Sequence, residues 1–197
     1  MTIPNKPADT SARLADLIRN RWSPRIFDPT HLLSAEQIQS LGEAARWAPS
    51  SSNQQPWHVV FLTQGSKLFQ EISEKGLTGF NQAWAPSCSL YAVMLARQTE
   101  KGKARDQAGT YFDLGLASMQ MVMQAEAMGL KSHFMGGIVP LEIEKTLNVK
   151  DHWVVCVIAM GKQASLEAAS EDLIARETAE RTRLPSESIY SVDKPLS

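Results

Sequence analysis

The stretch from Gly109 to Gly129 limits the possible folds most severely. Phe112, Leu116, Met119, Met123 and Ala127 recur at helical spacing on one face. Leu114, Ala117, Met121, Val122, Ala125 and Met128 cover much of the rest. A helix lying on a protein surface is apolar along one stripe. One that is apolar almost all round is either central to the fold or shared with a second subunit, and its methionines read first as core. Asp113, Gln120, Gln124 and Glu126 interrupt the run, and no window reaches the roughly 18 uncharged apolar residues of a membrane span.

The remaining elements fall on both sides of this helix. Ser11 to Asn20 reads as a short helix with Leu14, Leu17 and Ile18 on one face, stopped by Pro24. Ser34 with Gln37 three residues on forms a capping box for a helix that runs to Pro49. Trp57 to Leu62 reads as a strand closed by Gly65, and Ser66 to Lys75 as a helix. Gly76 to Pro86 reads as a loop carrying Phe80, Asn81 and Trp84, and Ser89 to Ala96 as a buried strand. Arg97 to Arg105 is a charged surface segment, Pro140 to Leu147 a short amphipathic helix, and Val154 to Met160 an apolar strand. The chain has 197 residues and no repeat or linker that would divide it, so a single domain over 1–197 is expected. Met1 to Thr10 would be an N-terminal extension, and the polar residues from about Ser165 to Ser197 a C-terminal one.

A net charge of −1 removes any strong argument for nucleic acid or an anionic membrane surface. The N-terminus has no apolar signal core, and Cys88 and Cys156 lie far apart in apolar runs. Free thiols in a reducing, cytoplasmic compartment are therefore expected. There is no G-x-G-x-x-G, P-loop, H-E-x-x-H, C-x-x-C or G-x-S-x-G. His31, His58, His133 and His152 lack metal-ligand spacing, so no metal site is expected. No local acid, base or nucleophile stands out, so catalysis, if present, belongs to a bound cofactor.

Four segments carry candidate chemistry. Arg21-Trp22-Ser23-Pro24-Arg25 displays two guanidinium forks and a hydroxyl where a helix has ended. That suits a phosphate, although a solvated basic turn would look the same. Pro49-Ser50-Ser51-Ser52-Asn53-Gln54-Gln55-Pro56-Trp57 is uncharged and polar. It suits either a surface connector or a heterocycle with mixed donor and acceptor edges. Gly136-Gly137 permits a tight turn or close approach to a flat ligand. Arg181-x-Arg183-Leu184-Pro185 lies near the end.

This ordered set resembles the FMN-dependent nitroreductase family, from about Ser11 to Tyr190. The resemblance implies an α+β fold, with a mostly antiparallel sheet flanked by helices. It also implies an intertwined homodimer with FMN at the subunit interface, which would cover the long apolar helix and send the C-terminal extension onto the partner. By position, Arg21 and Ser23 match residues holding the FMN phosphate, and Arg25 one reaching the pyrimidine edge of the flavin. Pro49, Ser50, Ser51 and Asn53, with Gln55 beside them, match the segment contributed by the second subunit. Asn81 matches a residue at the ring edge, Gly136 and Gly137 the backbone facing flavin N5, and Arg181 and Arg183 a C-terminal basic pair at the phosphate. Many relatives carry Glu where Gly136 stands.

The implied activity is hydride transfer from NAD(P)H to the flavin, then electron transfer to a small acceptor such as a nitroaromatic or quinone. One site used twice implies ping-pong kinetics, and no protein group is expected to act as a dedicated catalytic residue. A reductase of a small aldehyde, of the malonic semialdehyde type, or of an enone would share the fold. A non-catalytic FMN carrier or sensor, or a helical dimer without cofactor, would belong to other classes.

Overall fold

The strands of the computed structural model are Trp57–Thr63 (β1), Leu90–Arg97 (β2), the hairpin pair Thr99–Glu100 (β3) and Lys103–Ala104 (β4), Lys131–Met135 (β5) and His152–Gly161 (β6). The structure describes residues 2–193; Met1 and residues 194–197, the outer ends of the two extensions, lie outside the described residues. β1, β2, β6 and β5 lie side by side in that order, with every pairing antiparallel. The central strand β2 is buried from Leu90 to Ala96. Its continuous apolar run follows from having both faces covered. Tyr91, Val93 and Leu95 face one layer, and Leu90, Ala92, Met94 and Ala96 the other. Met94 pairs with Cys156 but Leu95 with Val154, so β6 carries one extra residue. That bulge turns Val155 and Cys156 together toward the second layer, while Val154 and Val157 stay with the first.

Helices Asp16–Asn20 (α1), Ala35–Arg46 (α2), Lys67–Glu71 (α3), Asn81–Trp84 (α4), Gln107–Ala127 (α5), Pro140–Leu147 (α6) and Glu171–Thr178 (α7) complete the chain. α2 and α5 pack on the Met94 face through Leu41, Ala45, Leu114, Ala117, Met121, Val122 and Ala125. α3 and α6 cover the Val93 face through Phe69 and Ile143. The capping box at Ser34 and Gln37 is formed as the sequence suggests. The α+β architecture with a mostly antiparallel sheet between helices is the one expected. Cys88 and Cys156 are free thiols, and no helix among the described residues is long and apolar enough to cross a membrane.

Local expectations differ in five places. The first helix is only α1, with Leu17 and Ile18 exposed, because no side chain caps its start and five residues make barely one turn. The helix after Ser66 passes at Ile72 into a π turn that ends at Gly76. The Gly76 to Pro86 segment is not an open loop: α4 and a 3-10 turn fold over Trp84, which is buried and stacks with Phe27 at 6.1 Å. Arg97 to Arg105 contains the β3–β4 hairpin. Ser132 to Met135, where the sequence suggests no element, belongs to edge strand β5.

α5 answers its sequence pattern in half. One side is core, whereas Phe112 is 69% and Met119 39% exposed on the opposite side. No element among the described residues covers that stripe.

Candidate functional site

Arg21, Ser23, Arg25, Arg181 and Arg183 line a single cleft of about 310 Å³, together with Lys6, Trp22, Arg176 and Glu180. Pro24 holds Arg21–Arg25 extended after α1, so neighbouring side chains spread instead of stacking along a helix. Residues near both ends of the chain, Lys6 and Arg181, are folded onto this segment. Arg181 donates from Nη2 to the Arg21 carbonyl at 3.2 Å, and from Nη1 to the Lys6 carbonyl. Lys6 Nζ in turn donates to the Glu177 carbonyl at 3.1 Å and to that of Ala179, closing the C-terminus of α7. Beneath them the fully buried Glu177 carboxylate accepts the Arg25 amide at 2.9 Å and the Ile26 amide at 3.4 Å.

The cleft is short of negative charge. Six cationic side chains and one carboxylate, Glu180, line its wall. Burial, then the neighbouring Arg183, pull the Arg21 guanidinium below its ordinary range. Arg181 is lowered by burial and then by Arg183 and Arg21, and Arg25 by burial, with Arg176 adding to it against Glu177. Glu177 is itself raised, chiefly by burial. Like charges held this close stabilise a bound dianion, and guanidinium forks match phosphate oxygens in pairs. The indole N–H of Trp22 is buried in the same wall without an acceptor among the described residues.

A second group adjoins this cleft. Asn81 Nδ2 donates to the Gly137 carbonyl at 3.1 Å, and the Thr78 amide donates to it at 3.0 Å. A Cβ on Gly137 would lie 2.8 Å from Asn81 Nδ2 and 3.2 Å from Thr78 Oγ1, whereas one on Gly136 meets nothing within 4 Å. A side chain at Gly137 would push the Asn81 amide aside, whereas Gly136 borders open space. Phe80, next to Asn81, lies under the Arg176 guanidinium at 4.3 Å. His133, in β5 just before the glycines, donates from Nδ1 to the Pro24 carbonyl at 3.0 Å and packs on Trp84 at 4.6 Å. Burial pushes His133 down to about 4, so its ring is neutral near pH 7 and holds Pro24 as a plain donor.

Pro49, Ser50, Ser51, Asn53 and Gln55 stand apart from both groups. Pro49 and Ser51 to Gln55 are exposed, and Ser52, Asn53 and Gln55 all have positive φ, at 50°, 54° and 47°. Non-glycine residues in that region cost of order 1 kcal/mol each and persist where surroundings hold them. Here the Gln55 amide donates to Ser50 Oγ, and Gln55 Nε2 donates to the Asn53 carbonyl and Oδ1. The Ser51 amide donates to both oxygens of the buried Asp113 carboxylate at 3.2 Å. Within one chain, the cleft that holds Arg21 is lined by none of these five residues.

Sequence reasoning missed Glu177, Lys6, Arg176 and His133, because each reaches the site from another part of the chain. Asp113 did leave a signal, as a carboxylate interrupting an apolar helix.

In class, this is a helix-flanked antiparallel sheet with an arginine-lined cleft beside a glycine-lined sheet edge. A model of the nitroreductase family matches residues 18–87 and 75–162, and the chain belongs to that family. Among curated relatives, the oxygen-insensitive NADPH nitroreductase of Helicobacter pylori (strain J99) is 26% identical over 185 residues, covering 76% of this chain and 87% of that protein. Among solved structures, an oxidoreductase containing FMN is 30% identical with a TM-score of 0.87, covering 98% of each chain. A nitroreductase family protein from Clostridium difficile shares the fold at 18% identity, with a TM-score of 0.71 over 93% of this chain and 100% of that one.

Proposed function

We propose that the protein is an FMN-dependent oxidoreductase that draws reducing equivalents from NAD(P)H and delivers them to a small acceptor such as a nitroaromatic or quinone. The observation that carries this reading is the arginine cleft. A partly buried excess of positive charge, drawn together by residues near both ends of the chain, fits the phosphate monoester of FMN, and a glycine edge beside it leaves room for a flat ring. The FMN content of the 30%-identical structure and the NADPH dependence named for the Helicobacter relative support it. When bound, FMN would supply the redox chemistry, accepting a hydride from NAD(P)H and returning electrons to the second substrate in ping-pong order.

The chain's own residues bind and orient. Arg21, Ser23, Arg181 and Arg183 hold the phosphate, and Arg25 places positive charge toward the pyrimidine edge. Asn81 fixes the Gly137 backbone at the ring edge, with Gly136 leaving open space beside it. Pro49, Ser50, Ser51, Asn53 and Gln55 reach the flavin of a second copy of the chain. A homodimer that covers Phe112 and Met119 of α5 satisfies both this segment and that stripe.

The test is direct. The purified protein carries FMN at close to one per chain, bleaches anaerobically with NADH or NADPH, and recovers colour with a quinone. Arg21→Ala and Arg183→Ala each weaken FMN retention, by about tenfold to a hundredfold in Kd. Full flavin occupancy in both variants overturns the phosphate assignment, and flavin that no nicotinamide donor bleaches marks a carrier.

A further inference from the structure

A second cleft, of about 500 Å³, opens between the Ser51–Gln54 turn, the β3–β4 hairpin and the N-terminal end of α5. Its acids are all engaged. Glu100 pairs with Arg105 at 3.0 Å and Arg97 at 3.7 Å. Asp106 accepts the Gly109 amide at 2.8 Å as the cap of α5, and Asp113 accepts the Ser51 amide. Arg105 is engaged as well. Its side chain is only 7% exposed and donates to Glu100, to Gln54 Oε1 and to Thr110 Oγ1. That buried guanidinium ties the hairpin to the segment that carries Ser51.

Lys101 and Lys103 remain. Both are exposed in the cleft wall, and neither has a side-chain partner among the described residues. They are also held in place. Glu100 pairs with Lys103 across the hairpin, and both turn residues, Lys101 and Gly102, have positive φ, 49° and 76°. Two positive-φ residues in succession are the mark of a tight two-residue hairpin turn, where Asn-Gly is the usual choice. A lysine in the first position is locally unfavourable, so its charge is presented at a conformational cost.

We infer that Lys101 and Lys103 read an anionic group on the substrate that occupies the flavin site, selecting it over analogues that lack that group. This rests on the FMN oxidoreductase reading, through the proposed reach of Ser51 and Asn53 to the flavin. The anion has two sources: the 2′-phosphate of NADPH, or a carboxylate on the electron acceptor. Two ammonium groups, one on the turn and one on β4, suit either one.

The test uses the FMN-loaded enzyme, wild type and the Lys101→Ala/Lys103→Ala pair, at low salt. One arm compares kcat/KM for NADPH and NADH with a neutral quinone as acceptor. The other compares 4-nitrobenzoate and 4-nitrobenzamide with NADH fixed. The ratio of the substrate bearing the extra anionic group to the one lacking it falls by about tenfold in one arm, through KM, and the arm that responds names the source. The Lys101→Arg/Lys103→Arg pair retains the ratio, and 0.3 M salt erodes it in wild type, since screening acts on exposed charges. Ratios unchanged in both arms, with flavin occupancy and turnover intact, overturn the lysine assignment alone. A wild-type protein without flavin or turnover overturns both readings.

Discussion

The arginine cleft and the segment from Pro49 to Gln55 are made in opposite ways. The cleft is completed inside one chain: Glu177 lies beneath it, and Lys6 and Arg181 bolt the two termini across it. The segment is exposed, carries three left-handed residues, and is anchored to the body mainly by the Ser51–Asp113 and Gln54–Arg105 contacts. A binding surface completed by its own chain can bury its charges and limit their motion. On the dimer proposed above, a surface completed by a second copy must remain open on the monomer, with its backbone already shaped for what will meet it.

The largest expected effect tests that division. Phe112→Glu with Met119→Glu places charge on the uncovered stripe of α5, away from the cleft. If the Pro49–Gln55 segment acts in a dimer, the variant sediments as a folded monomer and loses most of its FMN although every arginine is intact. A monomer that keeps its flavin would show that the cleft suffices alone. Acid is next in size and acts on the cleft half. His133 titrates near 4 in the folded chain against 6.5 ordinarily, so the unfolded chain binds a proton that the folded one refuses. Stability is then lost as pH falls through 6.5 toward 4, by roughly 2–3 kcal/mol, and is unaffected by this group above pH 7. Urea midpoints across that range measure it. His133→Asn, which retains a donor for the Pro24 carbonyl but cannot charge, flattens that part of the profile. Smallest is Ser52→Gly, which relieves a positive φ and raises stability by about 1 kcal/mol or less in thermal unfolding. A loss instead would mean that the Ser52 side chain makes a contact in the assembled protein.

Most of the framework was legible because it rests on local rules. The capping box at Ser34, the breadth of the apolar surface on α5, the apolar run of β2 and the boundaries of α6 each follow from residues near in sequence. Trp84 misled: polar and small neighbours suggested a loop, but the indole finds Phe27 and His133, more than 45 residues away in either direction, and folds α4 around itself. β5 was hidden for a related reason. As an edge strand, with Phe134 exposed and Ser132 buried, it lacks the uninterrupted apolar run of β2.

Taken alone, the sequence determined the fold class, the family and the motif residues Arg21, Ser23, Arg25, Arg181 and Arg183, because periodicity and motif order are written along the chain. Only the tertiary structure decided that those arginines share one cleft, that Glu177 and Lys6 hold its wall together, and that a side chain at Gly137, not at Gly136, would crowd Asn81. The physical reason is distance. Charge repulsion, burial and close approach depend on separations in space, and residues some 160 positions apart, such as Arg21 and Arg181, meet only after the sheet has formed.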